Sequence, residues 1–262
     1  MLPGDAKSKP QREREAHENQ LKRSAYDRFF KHCRYQYRKN RSAVLQTVLK
    51  PAHHGAVLEL GSRVWYSWLG ANGILPNQLI CINISEKELS AGKKRAKKSL
   101  LSPEFYVMDA HKLKFPDNSF DAVIGGNILH HLDLETALKE ISRVLKPGGI
   151  CVFHEPLDMN PVGRIVRKLT PSARTKDEKP FRKKEINILT SYFSGTFYFE
   201  QFFSVPLGIL SRLLFRSEDN LLTRFAYRLD TALIRAVPPL GYYYRQMLFT
   251  GTDRTSTDEQ KS

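Results

Sequence analysis

The stretch FYVMDAHKLKFPDNSFDAVIGGNILHHLDLETALKEISRVLKPGGICVFHEP, residues 105–156, changes its hydrophobic period twice. With Glu104 it opens as a strand, EFYVMDA (104–110), and after a polar turn resumes as an apolar run of strand length, FDAVIGGN (120–127). Residues 132–145, LDLETALKEISRVL, then set Leu134, Ala137, Leu138, Ile141 and Leu145 on one helical face. Lys146-Pro147-Gly148-Gly149 stops that helix, and ICVFHEP (150–156) returns to strand. Strands alternating with helices mean βαβ units, hence a parallel sheet with helices on both faces.

Working outward, the same alternation extends upstream. AVLELG (56–61) and QLICINIS (78–85) are strands, and SEKELSAGKKRAKK follows as a helix whose Ser85 and Glu88 have capping-box spacing. Before them, Leu21, Ala25, Phe29, Cys33 and Tyr37 recur every four residues, one side of a helix ending before Pro51. Downstream, residues 157–190 read as loop-rich and basic, and TFYFEQFFSV (196–205) as a sixth strand. PLGILSRLLF and NLLTRFAYRLDTALIRAV read as two amphipathic helices, and YYYRQMLFTGT (242–252) as a closing strand. The expected organisation is a disordered basic N-terminus (1–18), a helical cap (19–50) and an α/β ligand-binding core (51–156). A C-terminal half (157–253) with a helical lid at 206–240 and a disordered tail (254–262) complete it. Such sheets bind ligands beyond the carboxyl ends of their strands, which puts the turns after Gly61, Asn83, Asp109 and Asn127 at the mouth.

Composition narrows the class of protein. The chain has 262 residues, 41% hydrophobic and 26% charged, long enough to bury a sizeable core. No apolar run reaches the roughly 20 residues that span a bilayer. The N-terminal MLPGDAKSKPQRERE lacks the apolar core of a secretory signal, so the expected compartment is the cytoplasm, with peripheral membrane contact as a further option. Three cysteines, Cys33, Cys81 and Cys151, without CxxC or a His/Cys cluster argue against a disulfide framework and against a metal site. A net charge of +15 favours an anionic partner.

Residues 57–156 resemble the class I S-adenosylmethionine-dependent methyltransferases, in particular the branch that includes ubiquinone and menaquinone C-methylases. The resemblance is strong over 105–156 and weak over the first half. It implies a Rossmann-like fold, a mostly parallel seven-stranded sheet with a helical insertion before the last strand, and S-adenosyl-L-methionine as cofactor. It also implies cofactor-binding positions at Glu59, Gly61, Ser62, Asn83, Ile84, Asp109, Ala110 and Asn127. The family's opening turn is an acidic residue followed by G-x-G-x-G. Here Glu59 and Gly61 keep the pattern, whereas Arg63 and Trp65 occupy the second and third glycine positions. Trp65, Tyr66 and Trp68 either wall the sulfonium or pack a helix onto the sheet. Asn83 replaces the acidic residue that grips the ribose hydroxyls, a change expected to weaken cofactor affinity roughly tenfold. Asp109 matches the acidic residue that accepts from the adenine amino group.

The same geometry nominates His131, His130 and Glu155 as catalytic residues, with His154 beside them at the end of the fifth strand. Tyr26 and Phe29 are candidate lid residues on the N-terminal helix. The expected acceptor is a small molecule, lipid-linked or of natural-product type. The 206–240 insertion would cover it, touch anionic lipid or simply pack on the sheet. RNA methylation is disfavoured: there is no N/D-PP-Y/F tetrad and no Pro-Cys turn. A methyltransferase fold that has lost its chemistry and scaffolds a partner is the alternative. Arg63, Trp65 and Asn83 favour it, and Asp109 and the NILHHL turn oppose it.

Overall fold

The computed structural model describes residues 30–61, 69–97, 99–161, 164–165 and 179–254. Ser62, Arg63, Trp65, Tyr66 and Trp68, and the lid candidates Tyr26 and Phe29, lie outside the described residues, as do residues 1–18 and 255–262 of the termini expected to be disordered. Arg254, the first residue of that tail, donates its N–H to the Tyr192 carbonyl at 3.0 Å.

One seven-stranded sheet organises the chain. Its strands are β1 (Ala56–Leu60), β2 (Gln78–Asn83), β3 (Glu104–Val107), β4 (Phe120–Gly126), β5 (Leu145–Pro156), β6 (Phe193–Glu200) and β7 (Gln246–Asp253). They lie in the order β3-β2-β1-β4-β5-β7-β6. β7 runs antiparallel to both β5 and β6, and every other pairing is parallel. The order reverses between β1 and β4, which creates the crevice at their carboxyl ends.

Helices cover both faces because the parallel strands carry apolar side chains both ways. On one face α1 (Tyr35–Thr47) brings Val44 onto Val57, Ile124 and Val152. On the other, α3 (Leu134–Val144) and α4 (Lys183–Tyr192) bury Leu138, Ile141, Ile186 and Leu189 against Leu58, Val123 and Phe153. The Asp133 side chain caps α3, accepting from the Thr136 N–H at 3.1 Å. Ser85 caps α2 (Glu86–Ala96) by accepting from the Glu88 N–H at 3.4 Å.

Four local expectations are corrected. Residues 157–190, read as loop-rich, contain most of α4. The helix is only 10 residues long, and its apolar pair, Ile186 and Leu189, is too short a pattern to read without α3 beneath it. The sixth strand is 193–200 rather than 196–205, and α5 (Ser204–Leu214) starts inside the segment read as its end. Gln201 turns the chain with φ +70°. Its N–H then goes to the Gln36 side chain at 2.8 Å, and the next three N–H groups go to the Asp230 carboxylate. Third, KPGG does not stand outside the sheet but forms a bulged start of β5. The register skips between Phe120 and Ala122, Gly148 takes φ +74°, and Lys146 pairs with Asp121 at 2.8 Å. The last helix of the insertion, α6, spans Leu221–Ala236, and β7 starts at Gln246 because 238–243 form a 3₁₀ turn. Among the described residues, no helix is long and apolar enough to cross a membrane.

Candidate active site

Five strand ends meet at the crevice, and hydrogen bonds tie their turns together. β1 ends in buried Glu59, whose Oε2 accepts from the Cys81 thiol at 3.5 Å, and in Gly61, where φ is +84°. That left-handed backbone suits glycine, since a side chain would be strained there. The Gly61 N–H donates to the Ile82 carbonyl at 2.9 Å, so the first turn leans on β2. A Cβ at Gly61 would stand 3.5 Å from the Ile128 side chain, so it also abuts the turn after β4.

Asn83 cross-links these turns. Its amide NH2 donates to the Gly61 carbonyl at 2.9 Å, and its Oδ1 accepts from the Ser85 N–H at 2.8 Å. Both ends of the amide thus have backbone partners, and Oδ1 keeps one further lone pair. Ile84 follows, half-buried. Beyond β3, Met108 donates to the Asn83 carbonyl at 3.1 Å, and Asp109 and buried Ala110 complete the turn.

Asp109 is held by a residue that the sequence did not single out. His111 donates to Asp109 Oδ1 through both its backbone N–H (3.0 Å) and its Nδ1 (2.6 Å). The Nε2 on its far side accepts from the Asp133 N–H at 2.8 Å. With Nε2 accepting, the proton sits on Nδ1, and the neutral ring braces the β3 turn against the start of α3. The His111 hydrogen bond holds the Asp109 carboxyl below its usual range, against the opposing effect of burial. Oδ2 makes no hydrogen bond among the described residues, and the Asp109 side chain is partly exposed. A histidine two residues after the aspartate was the available sequence signal, but its second partner comes from 22 residues away.

The β4 turn is shaped from below. Asn127 takes φ +53° and donates its N–H to the His154 carbonyl at 2.7 Å, binding β4 to β5 where both end. Glu155 is fully buried, and its Oε1 accepts the N–H groups of Ile128 (3.0 Å) and Leu129 (2.9 Å). Its Oε2 meets His130 Nδ1 at 2.6 Å. Burial would raise the Glu155 pKa, but the His130 charge, the His130 hydrogen bond and the two amides outweigh it and bring it below the ordinary glutamate value. Glu155 and buried His130 therefore hold the 129–131 3₁₀ turn in shape, and half-buried His131 closes it with its ring 4.1 Å from that of His130.

His154 and Glu155, adjacent in sequence, face opposite sides of the sheet. His154 lies under the N-terminal cap, its ring 4.2 Å from that of Tyr37 and its Nε2 3.5 Å from buried Glu200. Asn40 donates to the other Glu200 oxygen at 3.0 Å. Burial pushes the Tyr37 phenol up to about 12. The candidate residues thus divide into three groups. Gly61, Asn83, Ile84, Asp109, Ala110 and Asn127 stand at the carboxyl ends of the strands with Glu59 buried behind them in β1, His130, His131 and Glu155 form and hold the turn after β4, and His154 lies beneath the cap. Among the described residues, no cluster of His, Cys, Asp and Glu is arranged to hold a metal ion.

Residues 58–153 match the family model described as a methyltransferase domain. The chain is 34% identical over 111 residues to a demethylmenaquinone methyltransferase of Bacteroides fragilis, covering 41% of this chain and 45% of that one. It is 39% identical over 89 residues to a ubiquinone/menaquinone biosynthesis C-methyltransferase of Bartonella quintana, covering 32% and 34%. The chain therefore spans less than half the length of these curated relatives. In fold it is similar to the geranyl diphosphate C-methyltransferase of Streptomyces coelicolor, with a TM-score of 0.57, 14% identity and coverage of 82% and 79%. It is also similar to the N-methyltransferase NodS of Bradyrhizobium japonicum, with a TM-score of 0.55, 15% identity and coverage of 93% and 96%.

Proposed function

We propose that this chain, whose residues 58–153 match a methyltransferase-domain model, is a class I S-adenosylmethionine-dependent methyltransferase that binds that cofactor and methylates a small hydrophobic acceptor. The observation that carries the reading is the rim of turns at the crevice, with an ionised, partly exposed Asp109 whose Oδ2 makes no hydrogen bond among the described residues. The cofactor's adenine amino group and ribose hydroxyls are donors, and Asp109 and the spare lone pair of Asn83 Oδ1 are acceptors, so the two sets fit. Glu59 presents a buried carboxylate at the methionine end. When bound, the cofactor supplies a methyl group already activated on sulfur, and the protein's task is alignment. His131, at the open end of the turn that Glu155 and His130 hold, is the residue we assign to take the acceptor's proton. Quinone and prenyl diphosphate substrates named for the relatives support an apolar acceptor.

A second reading, a scaffold built on this fold, is favoured by one observation: both ends of the Asn83 amide are already committed to backbone. Calorimetry with S-adenosylhomocysteine separates the two. Saturable binding that weakens about tenfold to hundredfold in Asp109→Ala is the expected result, since a hydrogen bond to a charged group contributes about 1.5–3 kcal/mol. No heat at millimolar ligand overturns the methyltransferase reading in favour of the scaffold.

A further inference from the structure

The helical hairpin α5–α6 is built inside out. α5 buries Ser204, Gly208 and Ser211 and turns Leu210, Leu213 and Leu214 to solvent. The buried stripe is small because α5 lies directly on the 3₁₀ turn His32–Arg34: a Cβ at Gly208 would fall 2.8 Å from the Cys33 Cα and N. His32 Nδ1 and Ser211 Oγ, 2.9 Å apart, and Asn220 Nδ2, donating to the same Oγ at 2.7 Å, complete a polar seam. α6 likewise buries Thr223, Ala226 and Asp230. With Phe215, Leu221 and Phe225 the hairpin tip exposes six large apolar side chains, Leu213 at 76% and Leu221 at 79%. A water-facing helix pair would be expected to place such residues inward.

Charge tells what the tip faces. Each hairpin acid is already engaged: Glu218 pairs with Arg38, Asp219 pairs with Arg224, and Asp230 accepts the backbone N–H groups before α5. Arg212, Arg216, Arg228 and Arg235 are exposed and make no ion pair among the described residues. On α6 the exposed stripe runs from Leu221 and Phe225 at the tip to Arg228 and Arg235, so about 10 Å of helix separates Leu221 from Arg228. That spacing matches the depth to which an amphipathic element enters the headgroup boundary, with cations at the level of the phosphates. Pairing with a second copy of this face would set the same uncompensated arginines against each other.

We propose that the α5–α6 tip docks this protein on an anionic lipid bilayer, the apolar side chains entering the interface and the arginines meeting lipid phosphates. The inference does not depend on methyl transfer, although docking would bring the crevice to a lipid-held acceptor.

The test is co-sedimentation of the full chain with phosphatidylglycerol/phosphatidylcholine vesicles and with phosphatidylcholine vesicles alone. Binding to the anionic vesicles is expected to exceed that to the neutral ones and to fall with added salt. Leu213→Ser with Leu221→Ser should weaken it about tenfold. Arg212→Gln, Arg216→Gln and Arg228→Gln together should weaken it about hundredfold, roughly fivefold for each cation removed from the surface. Because all five positions are exposed, circular dichroism should be unchanged, and titration with S-adenosylhomocysteine, a separate readout, reports on the cofactor site alone. Absence of binding to anionic vesicles, or equal binding by the variants, overturns the proposal. So does a dimer in sedimentation velocity that the double serine variant dissolves without any vesicle binding.

Discussion

Glu155 illustrates how a residue at the right place in a motif acquires a role from its partners. The sequence nominates it as catalytic, but its oxygens accept from the Ile128 and Leu129 amides and meet His130. Removing it should destabilise the fold: Glu155→Ala is expected to cost about 3–5 kcal/mol by urea denaturation, because a buried partner is left unpaired. The pH dependence follows from its lowered pKa. The folded protein releases the Glu155 proton more readily than the unfolded chain, so the stability it contributes is fully present above the ordinary value of 4.5. It is lost as pH falls through the lower folded value. The urea midpoint of the wild type should therefore drop on acidification below that point, and that of Glu155→Gln should drop less; parallel curves would refute the assignment. The place of Asp109 in the turn after β3 was readable from sequence, whereas the brace that His111 gives it was not, because that depends on the Asp133 N–H beyond it.

At the scale of elements, periodicity located β1, β2, β4 and α3 well, since each carries its own apolar pattern and stop signal. It failed where the stop signal comes from elsewhere in the chain. The end of β6 is set by Asp230, which accepts from Phe202, Phe203 and Ser204 and from the Ser204 hydroxyl. This carboxylate, from the neighbouring helix, does for α5 what a cap residue does locally. Asp230→Ala is expected to cost at least about 3 kcal/mol, as several buried donors lose their shared acceptor together. Hydrogen exchange should show the first turn of α5 opening well before the sheet. An exchange pattern unchanged from wild type would mean that the Gln36 contact and packing on Cys33 suffice.

For the whole molecule, the β3-β2-β1-β4-β5-β7-β6 order gathers the rim residues, spread from Gly61 to Asn127, at one edge. Ligand binding there should stabilise the whole sheet. At about 100 times its Kd, S-adenosylhomocysteine would contribute about 2.7 kcal/mol, raising Tm by about 5–10 °C in a thermal-shift assay. A shift in wild type that disappears in Asp109→Ala would tie the effect to the crevice. What the sequence determined by itself is the alternation of strands and helices, and with it a parallel sheet whose turns after Gly61, Asn83, Asp109 and Asn127 share one end. These follow from local periodicity and from the handedness of βαβ crossovers, which need no knowledge of distant partners. Only the tertiary structure decided that His154 meets Tyr37 and Glu200 while Glu155 holds the Ile128 and Leu129 amides, that Asn83 spends its amide NH2 on the Gly61 carbonyl, and that α5 hides serines and shows leucines. Those outcomes rest on contacts between residues far apart in the chain, whose pairing no local pattern encodes.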